Sequence, residues 1–405
     1  MRNSSTLRQR EYPYPRSNTA YVTPVPNPFV KWGIGTMDHT IYLVVVILML
    51  FGLMMVFSAS YVVTGRSQQH GFDTFYYLRR HGFMAILGFI VMNIMANFNY
   101  RYLKRFAMPS YMVSLGLLLF VIIYGVASHG ARRWIPLPFG MQFQPSEIAK
   151  VALILVLARI ISANSRILDK WPGFLFCSGI IGVIAIFVGI GNLSTAIIIS
   201  IIGGGMIFMA SPHILRFLFA GGVGVSAMLG YLYFMAYHAG DAVGGQFRGG
   251  RFLAWRDPFE YMQGYGFQIV QSLYAIASGG LFGLGIGQSR QKTFLPEVHN
   301  DVIFSVIAEE LGFVGAGIIL LLFSILVWRG LRIAMNAADS FGTLVASGII
   351  LMIGSQVIIN VAVVTNSIPN TGIPMPFISY GGTALVVAMG CMGILLNISR
   401  HSKID

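Results

Sequence analysis

Ten long apolar runs constrain the fold of this chain more than any other feature. Each has roughly the 20 mostly apolar residues that a helix needs to cross the hydrocarbon core of a bilayer. Inside a bilayer only helices and closed barrels satisfy their own backbone groups. The runs lie at 40–60, 80–98, 107–127, 146–163, 172–190, 193–210, 214–237, 301–327, 340–364 and 377–398. The sequence therefore predicts an all-α polytopic integral membrane protein with ten transmembrane helices.

Composition excludes a soluble protein. Apolar residues make up 56% of the 405 positions and charged residues 10%, against about 45–50% and about 25% in soluble domains. The net charge is +13, but the basic residues are dispersed among loops. This indicates orientation in a membrane and contact with lipid headgroups rather than with nucleic acid. Cys177 and Cys391 both lie within apolar runs, so we expect buried core residues and neither a disulfide nor a zinc site.

The distribution of Lys and Arg predicts that both termini are cytoplasmic. With the N-terminus inside, sixteen of the 27 Lys and Arg fall on the cytoplasmic side, ten outside and one within a run. Five of the outer ten lie in the loop 239–300, which is long enough to escape the positive-inside rule. The expected organisation is a disordered basic tail over 1–38, a ten-span membrane domain over 39–400 and a cytoplasmic end over 401–405.

The large loop 239–300, between the seventh and eighth runs, is not uniformly polar. Its segment from Tyr265 to Ser278, YGFQIVQSLYAIAS, is apolar and compatible with a helix, but it is too short to cross a bilayer. We expect a re-entrant or interface-lying helix there. The loops 128–145 and 365–376 are predicted on the same, outer side of the membrane.

Three acids lie at the start of the eighth run. Asp301 is at its outer end, and Glu309 and Glu310 lie two turns further along. Helical spacing places Ser305 and Glu309 roughly on the face of Asp301 and Glu310 nearly opposite. Carboxylates are costly near a bilayer and those that persist there are as a rule functional. An Asp at the start of a helix is also commonly a cap or a partner of the helix dipole. The clustering of the three acids favours function, and Asp301 is the predicted catalytic residue.

Basic residues lie near the start of the fourth run. Its first residues read FQPSEIAK, and Glu147 and Lys150 share one face of the predicted helix. The alternative is a dipole-matched Glu beside a Lys that extends towards the interface. Just upstream, Arg132 and Arg133 lie in a short outer loop against the orientation rule. Because the arginine fork suits phosphate, these residues indicate an anionic ligand.

A third segment, from Asn366 to Thr383, reads NSIPNTGIPMPFISYGGT and contains three prolines and three glycines. One interpretation is a rigid turn whose Ser and Thr side chains satisfy backbone groups. The other is a shaped wall for a bound headgroup, with Ser379 as a binding residue.

These segments together resemble the SEDS family of bacterial cell-envelope proteins (shape, elongation, division and sporulation). The resemblance rests on FQPSEIAK, PEVHNDVIFSVIAEELGFVG at 296–315, TGIPMPFISYGGT at 371–383 and GYGFQIVQSLYAIASGGLFGLGIGQS at 264–289. It covers all ten runs and leaves out the N-terminal tail. Within the family the chain is similar to the FtsW and SpoVE branches more than to RodA. It departs at GNLSTA, around Asn192, where many members have a Pro-Asp-Leu-Gly type sequence.

The resemblance implies a glycosyltransferase that polymerises lipid II into glycan strands, with undecaprenyl diphosphate as the leaving group. It places the site on the outer face of the bacterial cytoplasmic membrane, at the division septum or during sporulation. Asp301 would be the general base, and Glu147 would orient Lys150. The cations expected to neutralise the diphosphate are Lys150, Arg132, Arg133, Arg248 and Arg251. A divalent cation, Mg²⁺ or Mn²⁺, could assist, although no acidic pair is committed to one.

The resemblance also implies partners: a class B penicillin-binding protein with transpeptidase activity, other membrane proteins of the division machinery, and membrane lipids. A transporter that flips lipid II is an alternative from another class. It predicts charges distributed through the depth of the membrane, whereas the polar residues here concentrate at the outer side, which favours catalysis. An elongation synthase of the RodA type and a scaffold for division enzymes are further alternatives.

Overall fold

The computed structural model describes residues 36–66, 72–128, 131–136, 142–211, 245–295 and 298–402, with scattered positions between 213 and 230. Its helices are α1 (His39–Arg66), α2 (Tyr76–Asn97), α3 (Leu103–Tyr124), α4 (Pro145–Ala163), α5 (Trp171–Gly191), α6 (Leu193–Ala210), α7 (Gly245–Arg256), α8 (Phe267–Gly279), α9 (Ile303–Met335), α10 (Ser340–Val364) and α11 (Thr383–Arg400). Most of the predicted tail 1–38, Lys403 to Asp405 and most of the run 214–237 lie outside the described residues.

Eight of the described helices are long and apolar enough to cross a membrane. A ninth, α4, is of similar length and includes three charged residues, Glu147, Lys150 and Arg159. Nine of the ten predicted runs are therefore helices in the part of the chain that the structure describes. The last helix begins at Thr383 rather than at 377, because Phe377 and Gly382 have φ angles of 64° and 48°, which a right-handed helix does not accommodate.

The core of the bundle lies around α10 and α11. Over an 18-residue apolar stretch of each helix, about 67% of α10 and 72% of α11 is buried inside the protein, against 28% for α2, α3, α5 and α9. Small residues bring α2 and α11 together: an ideal Cβ at Gly393 would lie 2.3 Å from the carbonyl oxygen of Met92, and one at Gly88 would lie 3.1 Å from Met389. Such close approach through small residues is typical of helices packed in a membrane.

One loop departs from the helical fold. The predicted loop 128–145 forms a three-stranded antiparallel sheet of β1 (Val126–Ser128), β2 (Ala131–Pro136) and β3 (Gln142–Phe143), in the order β1-β2-β3. Val126 pairs with Trp134, and Ile135 pairs with Phe143. Val, Ile, Phe and Trp are enriched in strands because they fit a pleated surface. The sheet fixes the end of α3 relative to the start of α4.

Helix α9 is interrupted at Gly312, whose φ of 69° and ψ of −171° are not helical. The loop after α8 supplies the missing hydrogen bonds: the N–H groups of Phe313 and Val314 donate to the carbonyls of Gly280 and Leu281, and those of Leu284 and Gly285 donate to the carbonyls of Glu309 and Glu310. An ideal Cβ at Gly312 would lie 2.4 Å from the backbone of Gly283 and Leu281. The kink therefore requires a glycine.

Helix α8 coincides with the helix predicted over 265–278, and its re-entrant or interface-lying position stays a prediction. Gln268, in its first turn, contacts Asp301 just before α9, and Gly279, its last residue, packs against the backbone of Ala308 and Glu309. The helix therefore runs beside the first turns of α9 and in the same direction. A second helix of the same loop, α7, was not predicted from the sequence.

Candidate active site

Asp301 lies in a turn two residues before α9 and does not cap it. The N-cap position is Val302, whose own side chain makes no capping hydrogen bond. Asp301 Oδ1 accepts a hydrogen bond from Gln268 Nε2 at 3.2 Å, and its backbone carbonyl accepts one from Asn360 Nδ2 at 2.7 Å. Asp301 is therefore not the N-cap residue of α9. Instead α8 holds the side chain and α10 holds the backbone of the predicted catalytic residue.

Arg251, on α7, is close enough to Asp301 for an electrostatic interaction. Burial lowers the pKa of the Arg251 guanidinium, and the negative charge of Asp301 opposes that shift. Its Nη1 donates a long hydrogen bond of 3.4 Å to the carbonyl of Asn370. Because an arginine stays protonated in proteins, this contact brings one of the predicted cations to the carboxylate.

Lys150 and Glu147 form a buried ion pair near the start of α4. Lys150 Nζ lies 2.9 Å from Glu147 Oε2, and the two residues are 1% and 8% exposed. A lysine that extended towards the interface would expose its ammonium, so that interpretation is wrong. Burying an ion pair carries a desolvation penalty, and ionisable groups inside a membrane segment are functional candidates.

The ion pair and Asp301 lie beside the same face of α10. Gln356 lines a cavity with Glu147, Pro374 and Ser379, and Asn360, four residues further, binds Asp301. One turn of helix rises about 5.4 Å, so the two polar centres are neighbours. The cavity has a volume of about 20 Å³, which is room for about one water molecule. A sugar or phosphate could enter only if the 374–388 wall moved.

Ser379 stabilises the turn of its segment and also lines the cavity beside α10. Its Oγ accepts a hydrogen bond from the Met375 N–H at 2.8 Å, which is the rigid-turn role. It also lines the cavity beside Glu147. Its contact with a headgroup stays a prediction.

A cluster of rings that the sequence did not predict fixes the residues just before Asp301. The His299 ring lies 4.0 Å from that of Tyr77 and 5.3 Å from that of Tyr380. The Tyr380 N–H donates to the His299 carbonyl at 2.8 Å. The only sequence signal was the presence of aromatic residues beside two spans. The fold brings α2 and the 366–383 segment together. Tyr77 of α2 and Tyr380 of this segment both contact His299, two residues before Asp301.

Arg132 and Arg133 bind helix ends in this structure. Arg132 Nη1 donates to the carbonyl of Ile123 at 2.6 Å, and Arg133 Nε donates to that of Gly191 at 2.6 Å. Cations stabilise the C-terminal end of a helix, where carbonyls lack partners. Both arginines therefore have a structural role, and their contact with a diphosphate stays a prediction. The side chain of Arg248 lies outside the described part of the structure.

The other two acids of α9 belong to a separate buried network. Glu309 accepts hydrogen bonds from the Ser289 hydroxyl and the Arg290 N–H. Glu310 accepts them from the Ser58 hydroxyl at 2.7 Å and pairs with Lys292 at 3.3 Å. The expectation that Glu309 shares a helical face with Asp301 is wrong, because Asp301 precedes the helix and Glu309 faces the loop after α8.

Among the described residues, no group of three or more His, Cys, Asp or Glu side chains is arranged to hold a metal ion. A cation carried by a substrate diphosphate would need no such cage, because Mg²⁺ commonly binds through one or two carboxylates and phosphate oxygens. Cys177 and Cys391 are free and buried, as predicted.

Together these features define a class: a polytopic membrane protein with a polar site built around Asp301 and the Glu147–Lys150 pair, where helix ends and loops meet at one end of the bundle. Similarity to known proteins identifies the family. The chain belongs to the cell cycle protein family FTSW_RODA_SPOVE, whose model matches residues 38–404. The match spans all ten predicted runs.

Individual relatives cover the chain almost completely. It is 39% identical over 371 residues to "Stage V sporulation protein E" of Bacillus subtilis (strain 168), covering 90% of this chain and 98% of the relative. It is 38% identical over 371 residues to "Probable peptidoglycan glycosyltransferase FtsW" of Geobacter sp. (strain M18), covering 90% and 97%.

A solved structure described as "Structural coordination of polymerization and crosslinking by a peptidoglycan synthase complex" has the same fold. Its TM-score is 0.72 over 91% of this chain and 99% of that chain, at 24% sequence identity. The likeness at this identity is one of fold.

Proposed function

We propose that this protein is a peptidoglycan glycosyltransferase that polymerises lipid II into glycan strands. The observation that supports it best is the position of Asp301, which is held by Gln268 and Asn360 about one turn along α10 from the cavity that Glu147 lines. A relative that is 38% identical is named a probable peptidoglycan glycosyltransferase, which supports the same reaction class.

In the proposed step, Asp301 accepts the proton of the 4-hydroxyl of the acceptor sugar. A bond forms between that oxygen and the anomeric carbon of the donor, while the bond from this carbon to undecaprenyl diphosphate breaks and its electron pair leaves with the diphosphate. General base catalysis of this kind contributes about 10²–10⁴-fold. Arg251 and Lys150 would offset the charge that develops on the leaving group, and Glu147 would hold the ammonium of Lys150 in place.

The proposal also assigns an orientation and a partner. The end of the bundle with Asp301 would face the outside of the cytoplasmic membrane, and both termini would be cytoplasmic, as the distribution of Lys and Arg predicts. The site of action would be the division septum, or the spore envelope. A class B penicillin-binding protein would cross-link the strands. The fold likeness to a synthase complex that couples polymerization and crosslinking supports such a partner.

A lipid II transporter is the second candidate. Glu309 and Glu310 lie on α9 beyond Asp301, and Lys292 of the preceding loop pairs with Glu310, which is the distribution in depth that a transporter predicts. Their hydrogen bonds, however, are with the loop after α8 and with Ser58 of α1. They therefore hold a loop in place, which favours the glycosyltransferase.

The test is polymerisation of lipid II by the purified protein, with and without a co-purified transpeptidase. We expect Asp301→Asn to insert and unfold like the wild type but to lose activity by about 100-fold or more. Glu260→Gln, which changes an exposed acid of the same loop, is the matched control and should keep full activity. Full polymerisation by Asp301→Asn would refute the assignment. Flipping of labelled lipid II without polymerisation would favour the transporter.

A further inference from the structure

Three hydrogen bonds connect the turn at 370–372 to the carboxylate of Asp301. The Gly372 N–H donates to Asn370 Oδ1 at 3.2 Å. Asn370 Nδ2 donates to Gln268 Oε1 at 2.8 Å. Gln268 Nε2 then donates to Asp301 Oδ1 at 3.2 Å. Side chains from three separate parts of the chain therefore form one continuous series, which we name the amide relay (Gly372, Asn370, Gln268, Asp301).

The direction of the amide relay is fixed at its first member. A backbone N–H can only donate, so Asn370 must turn its oxygen towards Gly372 and its nitrogen towards Gln268. Gln268 must then accept with its oxygen and present its nitrogen to Asp301. Reversing either amide would place like atoms against each other. The relay therefore always offers Asp301 a donor and never an acceptor.

The same segment also holds the backbone of Asp301. Asn360 Nδ2 donates to the Asp301 carbonyl and to the Ile373 carbonyl, at 2.7 Å each. The carboxylate and the main chain of Asp301 are thus tied to the 370–373 segment by two independent side chains, Gln268 and Asn360. Gly372 has a φ of +64°, and an ideal Cβ on it would lie 3.6 Å from Asp301 Oδ2. Any other residue there would be strained by the positive φ, while its Cβ would be in ordinary van der Waals contact with this oxygen.

A donor at Oδ1 favours the ionised form of a carboxylate, as does the positive charge of Arg251, which faces Asp301 from α7 and is left in place in every Gln268 variant. A general base must be ionised to accept a proton. We infer that Gln268 is a positioning residue, oriented by Asn370 and the Gly372 N–H, that keeps Asp301 ionised and aimed for proton transfer. This inference rests on the proposed role of Asp301 as the base.

The experiment measures kcat and KM for lipid II as a function of pH. Gln268→Met keeps the length and packing of the side chain and removes the donor. We expect kcat to fall about tenfold while KM stays within about twofold of the wild-type value. The acidic limb of the pH profile of kcat should move up by about one pH unit. Gln271→Met is the matched control. Gln271 is a buried glutamine of the same helix that is not a member of the amide relay, and its variant should keep the wild-type profile.

A second variant separates the relay from loss of packing. Asn370→Ala removes the group that orients Gln268, so we expect a smaller upward shift of the same limb. Because both residues act through one hydrogen bond to Asp301, the double variant should match Gln268→Met alone rather than show the sum of the two shifts. Additive shifts would overturn the inference.

If Gln268→Met does not fold, Gln268→Glu serves instead, because it keeps an acceptor for Asn370 and sets a second carboxylate against Asp301. Two adjacent carboxylates resist ionising together, so the acidic limb should move up by more than about one unit. If Asp301→Asn is inactive but the acidic limb does not move in a folded Gln268 variant, the inference is overturned and the proposed function stands. Polymerisation by Asp301→Asn would instead overturn the proposed function.

Discussion

Lys150 is 1% exposed and its ammonium lies 2.9 Å from the carboxylate of Glu147. Removing one partner of a buried ion pair leaves an uncompensated charge and costs about 3–5 kcal/mol of stability. We therefore expect Glu147→Gln and Lys150→Met each to lower the thermal unfolding temperature in detergent strongly. The double variant should unfold closer to the wild type than either single variant, because it buries no unpaired charge.

The same double variant separates stability from chemistry. It should remain inactive towards lipid II, because it lacks the cation proposed to offset the charge of the leaving group. Arg79→Gln, which breaks an ion pair with Asp73 whose arginine is 71% exposed, is the control, and its effect should stay below about 1 kcal/mol. Wild-type activity in the stable double variant would make the Glu147–Lys150 pair purely structural.

A second prediction concerns the kink of α9. Gly312→Ala would place a Cβ 2.4 Å from the backbone of Leu281 and Gly283, at a φ of +69°. We expect it to lower the free energy of unfolding by at least about 2 kcal/mol. Gly317→Ala lies five residues further along the same helix with no atom within 4 Å of its new Cβ. It should leave stability unchanged or raise it by up to about 1 kcal/mol. Equal effects would mean that the kink is not required.

The helices could be predicted from the sequence because the signal for each is local. A membrane-length apolar run such as 340–364 fixes α10 without any knowledge of its neighbours. Asp301 was identified by the same local reasoning, since a carboxylate at a membrane boundary needs a reason to be there. Lys150 followed from its spacing to Glu147, although its complete burial did not.

The contacts that build the site could not be predicted, because they join distant parts of the chain. Glu310 meets Ser58 across 252 residues, and Gln268 meets Asn370 across 102 residues. In the sequence, Gln268 is one of several polar residues in a largely apolar helix, and nothing near it in the chain identifies Asn370 as its partner. A regular helix starting at 301 places Glu309 on the same face as Asp301. In the structure α9 begins at Ile303, and Glu309 instead binds the loop after α8.

A third prediction follows from Asp339, which caps α10 at the opposite end of the bundle. Burial alone would raise its pKa, but hydrogen bonds from the Gly342 N–H, the Tyr100 hydroxyl and Arg101 outweigh burial and hold the pKa below its ordinary value. A carboxyl with a lowered folded pKa stabilises the protein above its unfolded pKa, and this contribution is lost as the pH falls through the folded value. Asp339→Asn should therefore lower the unfolding temperature at pH 7, and the difference from wild type should shrink below about pH 4. Asn is itself a good N-cap, so a pH-independent difference would contradict a role for the charge.

A final prediction distinguishes the acids of α9 by two measurements. Glu309 is fully buried and accepts hydrogen bonds from the Ser289 hydroxyl and the N–H groups of Arg290 and Gln291. Glu309→Gln would keep one acceptor oxygen but replace the other by an amide NH2 that faces a donor, and hydrogen bonds to charged groups are worth about 1.5–3 kcal/mol each. Asp301 is only partly buried, and Asp301→Asn keeps an acceptor for Gln268. Glu309→Gln should therefore lower the unfolding temperature more than Asp301→Asn does, whereas Asp301→Asn should lower polymerisation more at a temperature where both variants are folded. If Asp301→Asn instead unfolds as early as Glu309→Gln, Asp301 has a structural role in the loop, and its loss of activity would no longer identify it as the base.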